Sequence, residues 1–411
     1  MDFTPDPDVV AIADNLLRFI DREVLPLEHE HRALFASERT IFDESGRYVP
    51  KVLELRQKVR KRSAELGYYT MCSPEKLGGG GFGSQASAHI QEQVNHRYGP
   101  NRHLIWTVVL PSPFTNGLSP ILAHLQPETL AKYRDDLASG RKTMCFGLSE
   151  PDAGSDAFGI KTTAVRDGKG WRISGTKQWI TTGPYADLAM IFAVTDPEKA
   201  ARRAGGITGF FVDIANSPGY SVASVIKIMG HLGSDIAILN LDNVFVPDDH
   251  VIGELDQGLK VGMDGINAGR LSMSACNVGL ARWALDMATD YAGVRKSGGK
   301  TISEYQAIQF LLADCAHDIY ASKSMIQNCA WRVDNGLPAN KETSMVKLHA
   351  TEMLNRVMDR CIQVHGGMGL TNELRLEDGY RFSRMLRIPD GTSEIQRKTI
   401  ARELLRGNRV E

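Results

Sequence analysis

At roughly 150 residues per domain, a chain of 411 residues has room for two or three domains with a substantial shared core, which excludes a small disulfide-stapled scaffold. Its 48 Lys and Arg against 49 Asp and Glu leave a formal charge of −1, with no basic or acidic block, so the electrostatic footprint of a nucleic-acid binder is missing. Hydrophobic residues at 42% and charged residues at 24% exclude intrinsic disorder and a collagen-like chain. No apolar run approaches the ~20 residues of a membrane-spanning helix. Met1-Asp2-Phe3-Thr4-Pro5-Asp6 has neither a basic n-region nor an apolar h-region, so the expected compartment is the cytoplasm and no membrane partner is expected.

From Val9 to Leu25, Val9, Ile12, Leu16, Phe19, Ile20 and Val24 recur at three- and four-residue steps, which predicts a helix closed by Pro26. Val52–Leu66 and Ala88–Val94 extend the helical pattern around the glycine-rich loop 78–83. Between Thr143 and Gly253 the pattern changes to short β-branched and aromatic runs: Trp171–Ile173, Trp179–Thr181, Ala189–Val194 and Phe210–Ile214. Turn clusters such as Asp167-Gly168-Lys169-Gly170 part them, as in a small antiparallel sheet. After Leu259 the helical period returns in three stretches. Leu280, Leu285, Met287 and Tyr291 mark the first, Ile308 to Ile319 the second with a stop at Asn335-Gly336, and Met345 to Val364 the third with a stop at Gly366-Gly367. This order predicts a mainly α protein with a middle β-domain, divided as 1–142, 143–256 and 257–411, and no parallel α/β sheet. Cys72, Cys145, Cys276, Cys315, Cys329 and Cys361 lie far apart, form no Cys-x-x-Cys pair and read as buried thiols.

Two nucleotide-like strings fail on context. Gly78-x-Gly80-x-x-Gly83 follows Ser73-Pro74-Glu75-Lys76, which is turn chemistry where a dinucleotide fingerprint needs a buried strand. Gly299-Lys300-Thr301 has Val294 where a phosphate loop needs its first glycine. His29, Glu30 and His31 read as a solvated helix face and not as metal ligands.

Three segments carry a more specific signal. The first is Leu148-Ser149-Glu150-Pro151-Asp152-Ala153-Gly154-Ser155-Asp156, followed by Gly175-Thr176-Lys177-Gln178-Trp179-Ile180-Thr181-Thr182-Gly183. The second runs from Gly269-Arg270 through Tyr291–Lys296 to Gln306, and the third joins Gln363–Gly369 to Arg384–Arg397. In this order and spacing the chain resembles the acyl-CoA dehydrogenase family from its first helix to Leu405. The resemblance implies an N-terminal helical domain, a small middle β-barrel or sandwich and a C-terminal four-helix bundle, with FAD held between them and across a subunit interface. It implies a homo-oligomer, commonly a dimer of dimers, an acyl-CoA substrate and an electron-transferring flavoprotein as electron acceptor. A flavin needs apolar surface along its ring and hydrogen bonds at its polar edges. By resemblance, Ser149 and Thr181 bond the isoalloxazine, Phe146, Leu148 and Trp179 pack beside it, and Ser155 lies near a diphosphate. Arg295 and Gln306 reach the cofactor from the neighbouring subunit, Gln363 and Gly367 form the adenosine-side loop, and Thr392 and Glu394 complete the cofactor set. For Phe146 and Trp179 the residues alone, without the flanking motifs, favour plain β-core aromatics.

The family reaction is α,β-dehydrogenation of an acyl-CoA thioester, in which a carboxylate takes the α-proton and flavin N5 takes the β-hydride. Where many relatives place Glu before Gly-Thr this chain has Asp390, and the alternative position before Arg270 is Gly269. The resemblance therefore implies Asp390 as base and Arg270 as its electrostatic neighbour. Aspartate reaches about 1.5 Å less far than glutamate. That difference leaves two other readings open, a nitroalkane-oxidase-type flavin oxidase and a non-catalytic binding protein of the same fold. Gly298-Gly299 stands where relatives carry Phe-Gly, and Pro389 replaces a bulkier residue that shapes the acyl cavity in some relatives.

Overall fold

The computed structural model describes residues 3–36, 38–112, 116–230 and 235–409, without the side chains of residues 38 and 39. Met1 and Asp2, part of the N-terminal segment read above, lie outside these residues. Helices run over Pro7–Phe19 (α1), Leu25–Glu30 (α2), Glu38–Ile41 (α3), Pro50–Glu65 (α4), Ser84–Tyr98 (α5), Pro127–Ala138 (α6), Pro197–Ala201 (α7), Gly258–Val294 (α8), Gln306–Asp334 (α9), Asn340–His365 (α10), Leu376–Leu386 (α11) and Ser393–Leu405 (α12). Strands cover Met144–Gly147 (β1), Thr163–Asp167 (β2), Gly170–Thr181 (β3), Leu188–Val194 (β4), Ile207–Asp213 (β5), Tyr220–Val225 (β6), Ile236–Pro247 (β7) and Val251–Ile252 (β8). A two-stranded ribbon, Lys296–Ser297 (β9) and Lys300–Thr301 (β10), joins α8 to α9. Among the described residues no helix is long and apolar enough to cross a membrane.

Pro26 does not close the first helix. Ile20–Val24 wind into a π-helical turn and α2 restarts at Leu25, which puts Pro26 in a first turn where a missing N–H forfeits no intrahelical bond. One cysteine also departs from expectation: Cys72 is exposed, whereas the other five are buried.

The chain divides into two compact units. The first comprises Met1–Asp21, Gly83–Arg102 and Gly269–Glu411 and is helical. Within it, the α5 N-terminus has only Gly83 as its own cap, and the Asp334 carboxylate at the end of α9 accepts from the Ser84 and Gln85 amides at 2.6 and 2.9 Å. An acid at the positive end of the helix satisfies donors that have no intrahelical acceptor. Buried Glu92 of α5 pairs with Arg282 of α8 and Lys323 of α9 at 2.5 and 2.8 Å. Gly279 lets α8 approach α5 closely, because a Cβ there would collide with the Glu92 carbonyl.

The second unit, Arg22–Phe82 and His103–Ala268, contains the eight-stranded sheet, in the order β6-β7-β3-β2-β4-β5-β8 with β1 beside β4. Its pairing is mixed, not purely antiparallel as the sequence suggests: β1 and β2 both run parallel to β4. Trp171–Ile173 and Trp179–Thr181 are the two ends of one strand, β3, whose register shifts against β7 around Gly175 and before Ile180. All seven residues of β4 are buried. Leu188, Met190, Phe192 and Val194 face one core cluster, while Ala189, Ile191 and Ala193 face the other, so the two-residue period of a strand feeds two cores at once. That double burial is why 188–194 reads as a continuous apolar run.

Candidate active site

In the sheet unit, the first motif is a loop bolted to a strand. The Gln178 amide donates to the Ser149 carbonyl at 2.9 Å, which holds the Leu148–Ser149 stretch after β1 against β3. The Lys177 Nζ, with no exposed surface, donates to Glu150 Oε1 at 2.7 Å and to the Leu148 carbonyl at 3.2 Å. Glu150 also accepts from the amides of Lys161 and Thr162 at 2.5 and 3.0 Å. Burial pulls the Glu150 carboxyl up, but the Lys177 charge and the hydrogen bonds outweigh it and leave the group below its ordinary range. Burial in turn pushes the Lys177 ammonium down to about 8 against the pull of Glu150.

Beyond that bolt, Trp179 stands at a register shift with φ +65° and 53% of its surface exposed, and Thr181 is exposed two residues on while Ile180 is buried. Trp179 is therefore not a β-core aromatic. A left-handed backbone at a bulge re-aims its ring outward, on the face that also carries the Thr181 hydroxyl. Phe146 is half-buried and packs on Phe192 with ring centroids 4.8 Å apart, so it belongs to the rim of a core cluster. Leu148 and Ser149 are half-buried, and Ser155 is exposed. An open indole beside hydroxyls and a fixed loop is the mixture that a flavin ring requires, so these residues fit that cofactor.

The helical unit holds the carboxylate. Asp390 is half-buried, at φ +56°, and precedes Gly391 at φ +91°. Side chains from three helices grip this turn by its carbonyls. Arg270 Nε of α8 donates to Asp390 O at 2.8 Å, Gln396 Nε2 of α12 donates to Asp390 O and Gly391 O at 3.1 and 2.9 Å, and Lys347 Nζ of α10 donates to Gly391 O at 2.9 Å. Gly391 is obligatory, since a Cβ would sit 2.8 Å from Gln396 Nε2 and 3.0 Å from Arg270 Nη2. Burial pushes the Asp390 carboxyl up, opposed by the charges of Arg270 and Lys347. Thr392 caps α12 by accepting from the Ile395 amide at 3.3 Å, and Glu394 is exposed in the first turn.

The remaining candidates gather at one end of the same unit. Tyr291 near the end of α8 stacks on His365 at the end of α10, with centroids 4.6 Å apart, and this pairing brings exposed Arg295 and Gln306 to the same end as exposed Gln363 and Gly367. Gly298 and Gly299, at φ +56° and +85°, form the tight turn of the β9–β10 ribbon, so Gly299-Lys300-Thr301 is a hairpin and not a phosphate loop. The glycine-rich loop is likewise no anion cradle. Its amides at Gly79, Gly80, Gly81 and Phe82 donate to the carbonyls of Pro74, Thr70, Ser73 and Met71. Among the described residues no cluster of His, Cys, Asp or Glu is arranged to hold a metal.

The sequence reading gave no role to Glu150, Lys177 and Gln396, although all three lie in its motif segments, and it passed over Lys347. Lys347 carried a usable signal, because it falls on the apolar stripe of α10 beside Val346, Ala350 and Leu354, where a lysine has to answer for its burial. Lys177 carried only its place in the motif, since strand residues around a bulge lose their alternation.

Comparison with known proteins places the family. The description "Acyl-CoA dehydrogenase, middle domain" matches residues 145–244, and "Acyl-CoA dehydrogenase, C-terminal domain" matches 256–405. Subunit CarC of the caffeyl-CoA reductase-Etf complex of Acetobacterium woodii is 35% identical over 364 residues, 89% of this chain and 92% of its own. The chain belongs to the acyl-CoA dehydrogenase family. The human mitochondrial short-chain specific acyl-CoA dehydrogenase is 36% identical over 85% of this chain and 82% of its own. Butyryl-CoA dehydrogenase of Megasphaera elsdenii superimposes with a TM-score of 0.82 at 27% identity, covering 98% of this chain and 100% of that one. As a family member the protein is an FAD-dependent oxidoreductase that dehydrogenates or reduces acyl-CoA compounds.

Proposed function

We propose that this acyl-CoA dehydrogenase converts an acyl-CoA thioester to the trans-2-enoyl-CoA with Asp390 as the base that removes the α-proton. The observation that carries this reading is the Asp390–Gly391 turn, fixed through its carbonyls by Arg270, Gln396 and Lys347. Those bonds hold the backbone, so the carboxylate is aimed by the turn. Phe146, Leu148, Ser149, Ser155, Trp179 and Thr181 would hold FAD from the sheet unit. Arg295, Gln306, Gln363, Gly367, Thr392 and Glu394 would hold it from helical units, the first two from a neighbouring copy. FAD supplies a two-electron acceptor for the β-hydride. The electron acceptor of the flavin is read as an electron-transferring flavoprotein, supported by a relative named as a subunit of an Etf complex.

A second reading concerns direction. CarC is named for a reductase, so the same residues can serve the reverse reaction, with the Asp390 carboxyl returning a proton to the α-carbon. The test is an anaerobic titration of the yellow protein against straight, branched and aryl acyl-CoAs, with the dithionite-reduced protein titrated against the matching enoyl-CoAs. Bleaching by one saturated class, abolished in Asp390→Asn, is the expected outcome. A protein that holds FAD and responds to no thioester in either direction sinks the reading and brings nitroalkanes forward as the next panel.

A further inference from the structure

A carboxylate carried by Asp depends on its backbone more than one carried by Glu, because one methylene fewer leaves about 1.5 Å less reach. Three side chains hold that backbone, and the lysine is the odd one. Lys347 has no exposed surface and lies on the core face of α10, where an ammonium is costly to keep. Gln396 shows that a neutral amide suffices to bind both carbonyls of the turn. A hydrogen bond alone therefore does not account for a cation at this place.

The charges around Lys347 decide what its own charge serves. Asp390 on the turn, Arg270 of α8, Glu352 of α10 itself and Glu394 of α12 act on it, with Asp390 the strongest. Glu352 is already taken by Arg387 Nη2 at 3.0 Å and by the Ser393 hydroxyl at 2.8 Å. Glu394 is an exposed residue. Arg270 and Lys347 are the cations acting on Asp390.

We propose that Lys347 is a positioning residue for proton abstraction: its ammonium fixes the Asp390–Gly391 turn through the Gly391 carbonyl and places a positive charge at the turn that carries the Asp390 carboxylate. This rests on the reading of Asp390 as base.

The test follows the rate of anaerobic flavin bleaching against pH, with a thioester that bleaches the wild type, in the holoenzyme and its Lys347→Gln, Lys347→Met and Asp390→Asn variants. Removing the cation raises the pH at which Asp390 ionises, so in both lysine variants the acid limb of the rate profile should move up by about one pH unit. The Gln variant, which can still donate to Gly391, should keep a higher alkaline plateau than the Met variant. Should Lys347→Met not fold, Lys347→Gln carries the same readout alone. Bleaching that survives in Asp390→Asn overturns the base assignment and this inference with it. An inactive Asp390→Asn together with an unmoved acid limb overturns the role of Lys347 alone, because a purely structural residue lowers the rate without moving the limb.

Discussion

Asp390 at φ +56° occupies backbone space that costs an ordinary L-residue about 1–2 kcal/mol and that Asp and Asn enter most readily. Asn is therefore the clean probe of its chemistry, whereas Ala or Val would add backbone strain to the loss of charge. Lengthening the side chain is the complementary test. Asp390→Glu moves the carboxylate outward on an unchanged turn, and the bleaching rate should fall on the order of 10²-fold with FAD content unaltered. The buried Lys177–Glu150 pair makes a different prediction. Lys177→Met strands a buried carboxylate and should cost roughly 3–5 kcal/mol in denaturant unfolding, with FAD released earlier than in the wild type. The pH dependence of this pair follows from the depressed Glu150 carboxyl. Its stabilising share is fully present above the unfolded value near 4.5 and is lost as pH falls through the lower folded value. The expected result is a flatter fall of unfolding free energy with pH below about 4.5 in Glu150→Gln than in the wild type, and an unchanged slope would overturn this account.

At the scale of elements, periodicity was the reliable guide. The stretches read around Val9, Val52, Leu280, Ile308 and Met345 are all helical, and the stops at Asn335-Gly336 and Gly366 coincide with positive-φ glycines at the ends of α9 and α10. Pro26 misleads because a π-helical turn has no local sequence signature and depends on how the helix packs. β3 was divided in two because its register shifts break the alternation by which a strand is recognised. The glycine-rich loop offers a test at this scale. A Cβ on Gly80 would lie 2.7 Å from the Met71 carbonyl oxygen, so Gly80→Ala should lower stability by about 1–3 kcal/mol through overpacking. FAD content of the folded fraction should stay at the wild-type level, since the loop amides are already spent on backbone carbonyls.

For the molecule as a whole, a net charge of −1 offers little long-range field, so any interface is sought on exposed apolar surface. Phe310, Ala313, His317 and Tyr320 are exposed at helical spacing along one face of α9, Phe310 at 59% and Tyr320 at 75%. Such a stripe is a candidate contact with another protein surface. A second copy is the expected occupant, and Phe310→Asp with Tyr320→Asp should reduce the mass seen by sedimentation and weaken FAD retention together. The sequence by itself determined the family resemblance, the succession of helices, strands and helices, and Asp390 as the matched carboxylate, because these rest on local periodicity and on motif residues adjacent along the chain. Only the tertiary structure decided that Lys347, 43 positions before Asp390 in the numbering, binds the turn it shares with Arg270 and Gln396, and that Lys177 is buried on Glu150. Burial and charge pairing across distant segments depend on which faces pack together, and no window of sequence contains that information.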